Sequence, residues 1–207
     1  MLTGLLPLFP LPRLVLLPGL RTGLHIFEAR YRALVSECLA GDSTFILVRS
    51  RLETDTDRVP ATAPVFEVGT RVRIAAHETL PEGRFNILVE GIEAARLLEE
   101  VDGKPYRQAR WLPVGPDFHP LGPLESSHLT TALDRYLKKS KNNSLIMNSV
   151  ILDKHNKSWV PRLAASLNLP LPEQQFLLES ESHAVMADRL VSLLEFAVAG
   201  RTPGTRG

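Results

Sequence analysis

The sequence has 207 residues, 44% of them hydrophobic and 23% charged, an ordinary globular composition with room for one large or two modest domains. A formal net charge of +1 supplies no global field that would favour nucleic acid or an anionic membrane as partner. One cysteine, Cys38, excludes an intramolecular disulfide and makes a cytoplasmic compartment the simpler reading.

The chain begins with an apolar, proline-rich run, Leu5 to Leu17. It does not read as a signal peptide: a basic n-region is missing, Pro7, Pro10 and Pro12 interrupt it, and Arg13 lies inside it. No uncharged apolar run approaches the ~20 residues that span a bilayer. Leu6, Phe9 and Leu11 each precede a proline and are held extended, after which Arg13 to Leu17 reads as a short strand. Pro18-Gly19 suits the centre of a type II turn. Phe27, Tyr31, Leu34, Val35, Cys38 and Leu39 fall on one helical stripe. That spacing predicts a helix anchored in the core by Phe27 and stopped by a left-handed Gly41. Glu28 offsets the helix dipole and stands four positions before Arg32, at ion-pair spacing.

Thr44 to Val48 reads as a buried strand, and Arg51 to Pro64 as a surface loop. Val72, Ile74 and Ala76 alternate with Arg71, Arg73 and His77; after the turn Pro81-Glu82-Gly83, Phe85, Ile87 and Val89 alternate with Asn86, Leu88 and Glu90. The two runs form an antiparallel hairpin. Ile92 to Val101 suits strand or helix by composition, and Tyr106 to Val114 alternates again. About six strands around one helix make a mostly antiparallel, barrel-like sheet.

Four prolines and two glycines between Pro113 and Pro123 place a linker at 115–123, after a β domain at 1–114. Three helical repeats follow, through Leu129 to Leu137, Trp159 to Leu167 and Met186 to Val198, giving a helical bundle over 124–199 and a frayed tail at 200–207. Ser158 suits the cap of the tryptophan helix, and Pro172-Glu173 the first turn of another. Lys138 to Lys157 carries five of the six lysines and four of the six asparagines. This stretch reads as a solvated loop, with a basic contact surface as the sharper alternative.

The opening LPLFPL, LLPG and LHIFEARYR resembles that of the Lon (La) protease N-terminal domain, the substrate-recognition module of those proteases, which also occurs free-standing. Val68-Gly69-Thr70, Gly91, Ser158-Trp159-Val160 and Leu169-Pro170-Leu171 extend the resemblance over about residues 5–198. One departure is Ala94-Ala95, where the family usually has an Arg-aromatic pair. The resemblance implies strand for Ile92 to Val101 and a PUA-like fold for the first half. The fold class is thus α+β, a PUA-like barrel-like β domain followed by a helical bundle.

Within these residues the ATPase and peptidase signatures of Lon are missing: the Gly103-Lys104 pair runs into Pro105, and neither Gly-x-Ser-x-Gly nor Ser-x-x-Lys occurs. The six histidines are scattered at spacings unsuited to a metal, and Cys38 sits on the apolar stripe as a buried thiol. No catalytic residue, metal site or cofactor is expected. The resemblance implies a non-enzymatic module that binds unfolded or damaged polypeptide, or a protease partner. RNA binding through Arg71, Arg73, Arg84, Arg107 and Arg110 is the alternative, disfavoured because aromatic residues are only 6% of the chain. The expected surface lies where the sheet half meets the helical half, because a sheet edge there can accept an extended peptide; the candidate residues are His25, Ile26, Glu28, Arg71 and Arg73. Neither the client nor the oligomeric state is legible.

Overall fold

The computed structural model describes residues 3–52, 58–115, 119–139 and 158–200. Two compact units divide the chain, Met1–Val114 and Gly115–Gly207. In the first, six strands form a mixed sheet: β1 (Thr3–Leu11), β2 (Arg21–Ile26), β3 (Thr44–Arg49), β4 (Val68–Thr79), β5 (Phe85–Val101) and β6 (Gln108–Val114), with the helix α1 (Ala29–Ala40) between β2 and β3. The order is β2-β5-β4-β3-β1-β6. The 17-residue β5 carries β4 on one edge and, on the other, β2 along residues 85–90 and then β6 along residues 94–101. Because β6 pairs with both β1 and β5, the pairings β5-β4-β3-β1-β6 run back to β5 and curl the sheet into a barrel-like form. Strand for Ile92 to Val101 holds.

The proline-rich arm is itself a strand, and the short strand expected at Arg13 to Leu17 does not form. β1 pairs antiparallel with β6 from Thr3 to Pro7 and parallel with β3 from Leu8 to Leu11. Leu8 donates to the Arg107 carbonyl at 2.7 Å, which sets the even-numbered donors of β1 toward β6. Pro10 then lacks a donor only where the β6 ladder has ended, and Pro7 only before the β3 ladder begins; the prolines cost the sheet no hydrogen bond. Val15, Leu16 and Leu17 are buried without pairing. Local bonds serve their carbonyls instead: Thr70 Oγ1 donates to Leu16 at 2.5 Å and the Leu20 N–H to Leu17 at 3.2 Å. Gly19, at φ 79°, makes the expected turn with Pro18.

Helix α1 begins two residues later than the stripe suggested. Its N-cap, Glu28, is extended (φ −67°, ψ 136°), so Phe27 lies outside the helix and is 44% exposed rather than a core anchor. Tyr31, Leu34, Val35 and Cys38 do face the core. For the same reason Glu28 meets Arg30 at 2.9 Å instead of Arg32, which donates to the Glu82 carbonyl. Gly41 is not left-handed (φ −122°); Ser43 is (φ 56°), and the Cys38 carbonyl accepts from both N–H groups, at 3.1 and 2.8 Å. The Cys38 thiol donates to the Thr44 carbonyl at 3.3 Å, and burial pushes it up to about 12, leaving it an inert thiol at neutral pH.

On β4 the alternation holds through Val72 and Ile74 and then fails, because a register shift between Ile74 and Ala76 leaves Ala76 exposed. Phe9, Ile26, Tyr31, Leu34, Phe45, Val72, Phe85 and Val89 form one core cluster. On the other side of β1 and β3, Leu8, Ile46, Val48, Ala95, Ala109 and Trp111 form another, so the small Ala94-Ala95 pair is fully buried. Gly69 has a plain reason: a Cβ there would sit 2.6 Å from the Leu47 carbonyl oxygen, a distance no side chain tolerates.

In the second unit α2 (Pro123–Lys139), α3 (Trp159–Ser166) and α4 (Leu171–Leu178) pack with α5 (His183–Val198). Leu129, Leu133, Trp159, Leu163, Leu177, Leu190 and Leu194 supply its interior. Ser182 caps α5, accepting from the Val185 N–H at 3.1 Å, whereas Ser158 makes no capping bond because its backbone is not extended (ψ 11°). Pro172 and Glu173 open α4. Residues 140–157, most of the Lys/Asn-rich stretch, and 201–207 lie outside the described residues. No described helix is long and apolar enough to cross a membrane.

Candidate peptide-binding cleft

Strand β2 ends the sheet, and the chain on either side of it turns back over the end of β1. Between them lies a cleft of about 430 Å³. Phe9 and Leu11 of β1, Pro12, Arg13 and Leu14 after it, Gly23 to Ile26 of β2, Phe27, Glu28 and Tyr31 form its walls. All belong to the first unit. The wall is mainly apolar because β2 and β1 each turn one face inward: Ile26 is 1% exposed, and Leu11, Leu14 and Leu24 pack half-buried against the core.

Polar groups stand at the rim. His25 Nδ1 lies 2.8 Å from Asn86 Oδ1 on the paired strand, and Asn86 in turn donates to Glu78 at 3.0 Å. The His25 ring stacks on Phe27 at 6.0 Å, and the Arg58 guanidinium also lies 6.0 Å from the Phe27 ring. Tyr31 stacks on Phe9 at 4.1 Å with the Arg30 guanidinium 4.5 Å from its ring centre. Burial pushes the Tyr31 phenol up to about 12, so it stays neutral; its hydroxyl has no hydrogen-bond partner among the described residues.

The structure brings His25, Ile26 and Glu28 into this one cleft. Arg71 and Arg73 lie apart from it, in a shallower depression of about 530 Å³ shared with Asp42, Thr44, Glu90, Gly91 and Ile92. Cross-strand carboxylates hold them: Arg71 meets Glu93 at 2.6 Å and Arg73 meets Glu90 at 3.3 Å. Arg84 lies 3.9 Å from Glu82, Arg110 lies 3.9 Å from Glu99, and Arg107 pairs with Glu100. Every arginine considered for phosphate contact thus has a carboxylate neighbour, which weakens the field that nucleic acid would need. Among the described residues no three His, Cys, Asp or Glu side chains stand together as a metal site.

Sequence reasoning missed Leu11, Leu14, Leu24 and Phe27 as cleft residues. The signal for Phe27 was its place directly before Glu28: a residue ahead of the N-cap is not bound by the helical period. Leu24 was legible only once β2 was known to be a strand.

A curled mixed sheet with one helix tucked against it, followed by a helical unit, is the architecture of Lon N-terminal domains. Residues 5–196 match the family described as the ATP-dependent protease La (LON) substrate-binding domain, and the chain belongs to that family. Among curated relatives, the Lon protease of Solibacter usitatus is 28% identical over 95% of this chain and that of Trichlorobacter lovleyi 31% over 86%. The chain spans about a quarter of the length of these relatives, 24% and 22%. A Lon N-terminal domain protein from Xanthomonas campestris superposes with a TM-score of 0.61 at 25% identity, over 94% of this chain and 99% of its own. The N-terminal domain of a Mycobacterium avium complex Lon protease gives 0.65 at 15% identity, over 96% and 100%, a likeness of fold alone.

Proposed function

We propose that this chain is a non-enzymatic recognition module that binds unfolded or damaged polypeptide, or a segment of a protease partner, by taking an apolar side chain into the cleft between β1 and β2. The observation that carries the reading is the pairing of a mainly apolar cleft with Phe27, a large aromatic left 44% exposed at its mouth. An aromatic there offers wide contact area at little cost in side-chain entropy. Family membership supports a role in substrate recognition.

A module that samples many clients binds each weakly, near micromolar, or ~8 kcal/mol. Fluorescence anisotropy with a labelled unfolded polypeptide, its folded form and a single-stranded RNA is the test. The unfolded chain is expected to bind and the folded form not. Phe27→Ala is expected to weaken binding by roughly tenfold, the loss of about 1.4 kcal/mol of aromatic contact, with little change in melting temperature. RNA binding that falls steeply with salt, beside no binding of the unfolded chain, would overturn the proposal.

A further inference from the structure

We infer that the bound polypeptide pairs with β2 as an added strand, an inference that rests on the cleft reading above and specifies how the site takes hold of its client. β2 hydrogen-bonds to β5 on one edge, and among the described residues no strand pairs with the other. The Gly91 N–H donates to the Leu20 carbonyl at 2.9 Å, directly across the β2–β5 ladder, which makes this a hydrogen-bonded pair. Continuing the alternation, Thr22, Leu24 and Ile26 turn their backbone groups to β5. Arg21, Gly23 and His25 turn theirs away from the sheet. All three of these residues are exposed, and a Cβ built on Gly23 meets nothing within 4 Å, so the outer face of β2 is open beside this edge. A strand laid there has its inward side chains over Leu24, at the cleft.

The occupant is a foreign extended segment rather than a second copy of β2. A second β2 would offer Leu24 and Ile26 on the cleft side, and Ile26 is already buried in its own core. The rim charges favour acidic neighbours to the apolar anchor. Arg21 shares the carboxylate of Glu90 with Arg73, Glu28 is engaged by Arg30, and the Arg58 guanidinium lies 6.0 Å from the ring of Phe27 at the same opening. Arg21 and Leu24 are three apart on opposite faces of β2, so the anchor and the carboxylate should be separated by three positions in the client.

The test uses the full chain and a fluorescein-labelled ten-residue peptide, with one central leucine anchor and aspartates three positions to either side. Gly23→Pro removes one outward N–H while proline's φ suits an edge strand; Gly23→Ala keeps the N–H. Gly23→Pro is expected to bind about tenfold more weakly than Gly23→Ala. With the wild-type chain, N-methylation stepped along the peptide is expected to weaken binding at alternate positions only. This arm stands even if the proline variant folds poorly. Lysine in place of the aspartates is expected to weaken binding about twofold to fivefold. N-methylation without period two, equal binding by Gly23→Pro and Gly23→Ala, or equal binding of the lysine peptide would overturn the inference. If Phe27→Ala still weakens binding in any of those cases, the cleft reading survives alone. A wild-type chain that dimerises while Gly23→Pro is monomeric, with no peptide bound, would overturn it in favour of self-pairing. A wild type that binds neither the peptide nor an unfolded protein would remove both readings.

Discussion

Phe45→Ala is expected to destabilise the β unit by about 3–5 kcal/mol, a large part of the ~5–15 kcal/mol that holds a typical domain folded. Phe45 is fully buried in β3, which is flanked by β1 on one edge and β4 on the other. Its ring lies 5.9 Å from that of Phe9, which stacks on Tyr31 of α1. Truncation therefore opens a cavity where three elements meet, and strands fixed by ladders on both sides cannot collapse into it. The chain's two tryptophans fall one in each unit, Trp111 in β6 and Trp159 in α3. Urea titration of a Trp159→Phe background thus reads the β unit through Trp111. An unchanged midpoint would show that the aromatic stack is not central. Phe27→Ala removes the same ring from an exposed site, and the contrast isolates burial from residue type.

Trp159→Ala is expected to cost a further ~3–5 kcal/mol in the helical unit. The indole is 1% exposed and opens α3, a helix of only eight residues. So short a helix is unstable in isolation, and the packing of its apolar face is what orders it. Amide hydrogen exchange is the fitting measurement. Protection should fall across Val160 to Ala164 and in the facing positions of α5. Protection retained throughout would mean that α3 is held by something other than its tryptophan.

The elements most legible in the sequence were those whose neighbours lie close along the chain. The β4–β5 hairpin shows alternation with a turn between, and the α1 stripe from Tyr31 to Cys38 shows a clean helical period. Legibility failed where tertiary partners override local chemistry. Pro7 and Pro10 argue locally against a paired strand, and only the directions of their missing donors show why β1 tolerates them. Val15 to Leu17 is apolar for burial rather than pairing, a distinction that composition does not carry. Among the candidate site residues, His25, Ile26 and Glu28 were named together because they adjoin in sequence, and they remain adjacent in space. Arg71 and Arg73 were chosen for charge alone, without the carboxylates of Glu90 and Glu93 that face them across the ladder. The apolar walls come from β1 and β2 jointly, and nothing local announces that two segments will face one another.

The antiparallel partner of β1 is made late. Leu6 pairs with Ala109, 103 positions further along the chain, so the first strand of the unit waits for its last. Pairings so distant carry a loop-closure penalty that is met before any contact rewards it, and they slow folding. A nascent chain ending before Arg107 leaves the β6-facing donors of Leu6 and Leu8 unsatisfied and Trp111 absent from the second core cluster. Pulse-labelled exchange during refolding should therefore find the β4–β5 hairpin protected first and the β1–β6 ladder last. Simultaneous protection of both would show that the ends meet early. Until they do, a protein whose proposed work is to hold unfolded apolar chains is itself one.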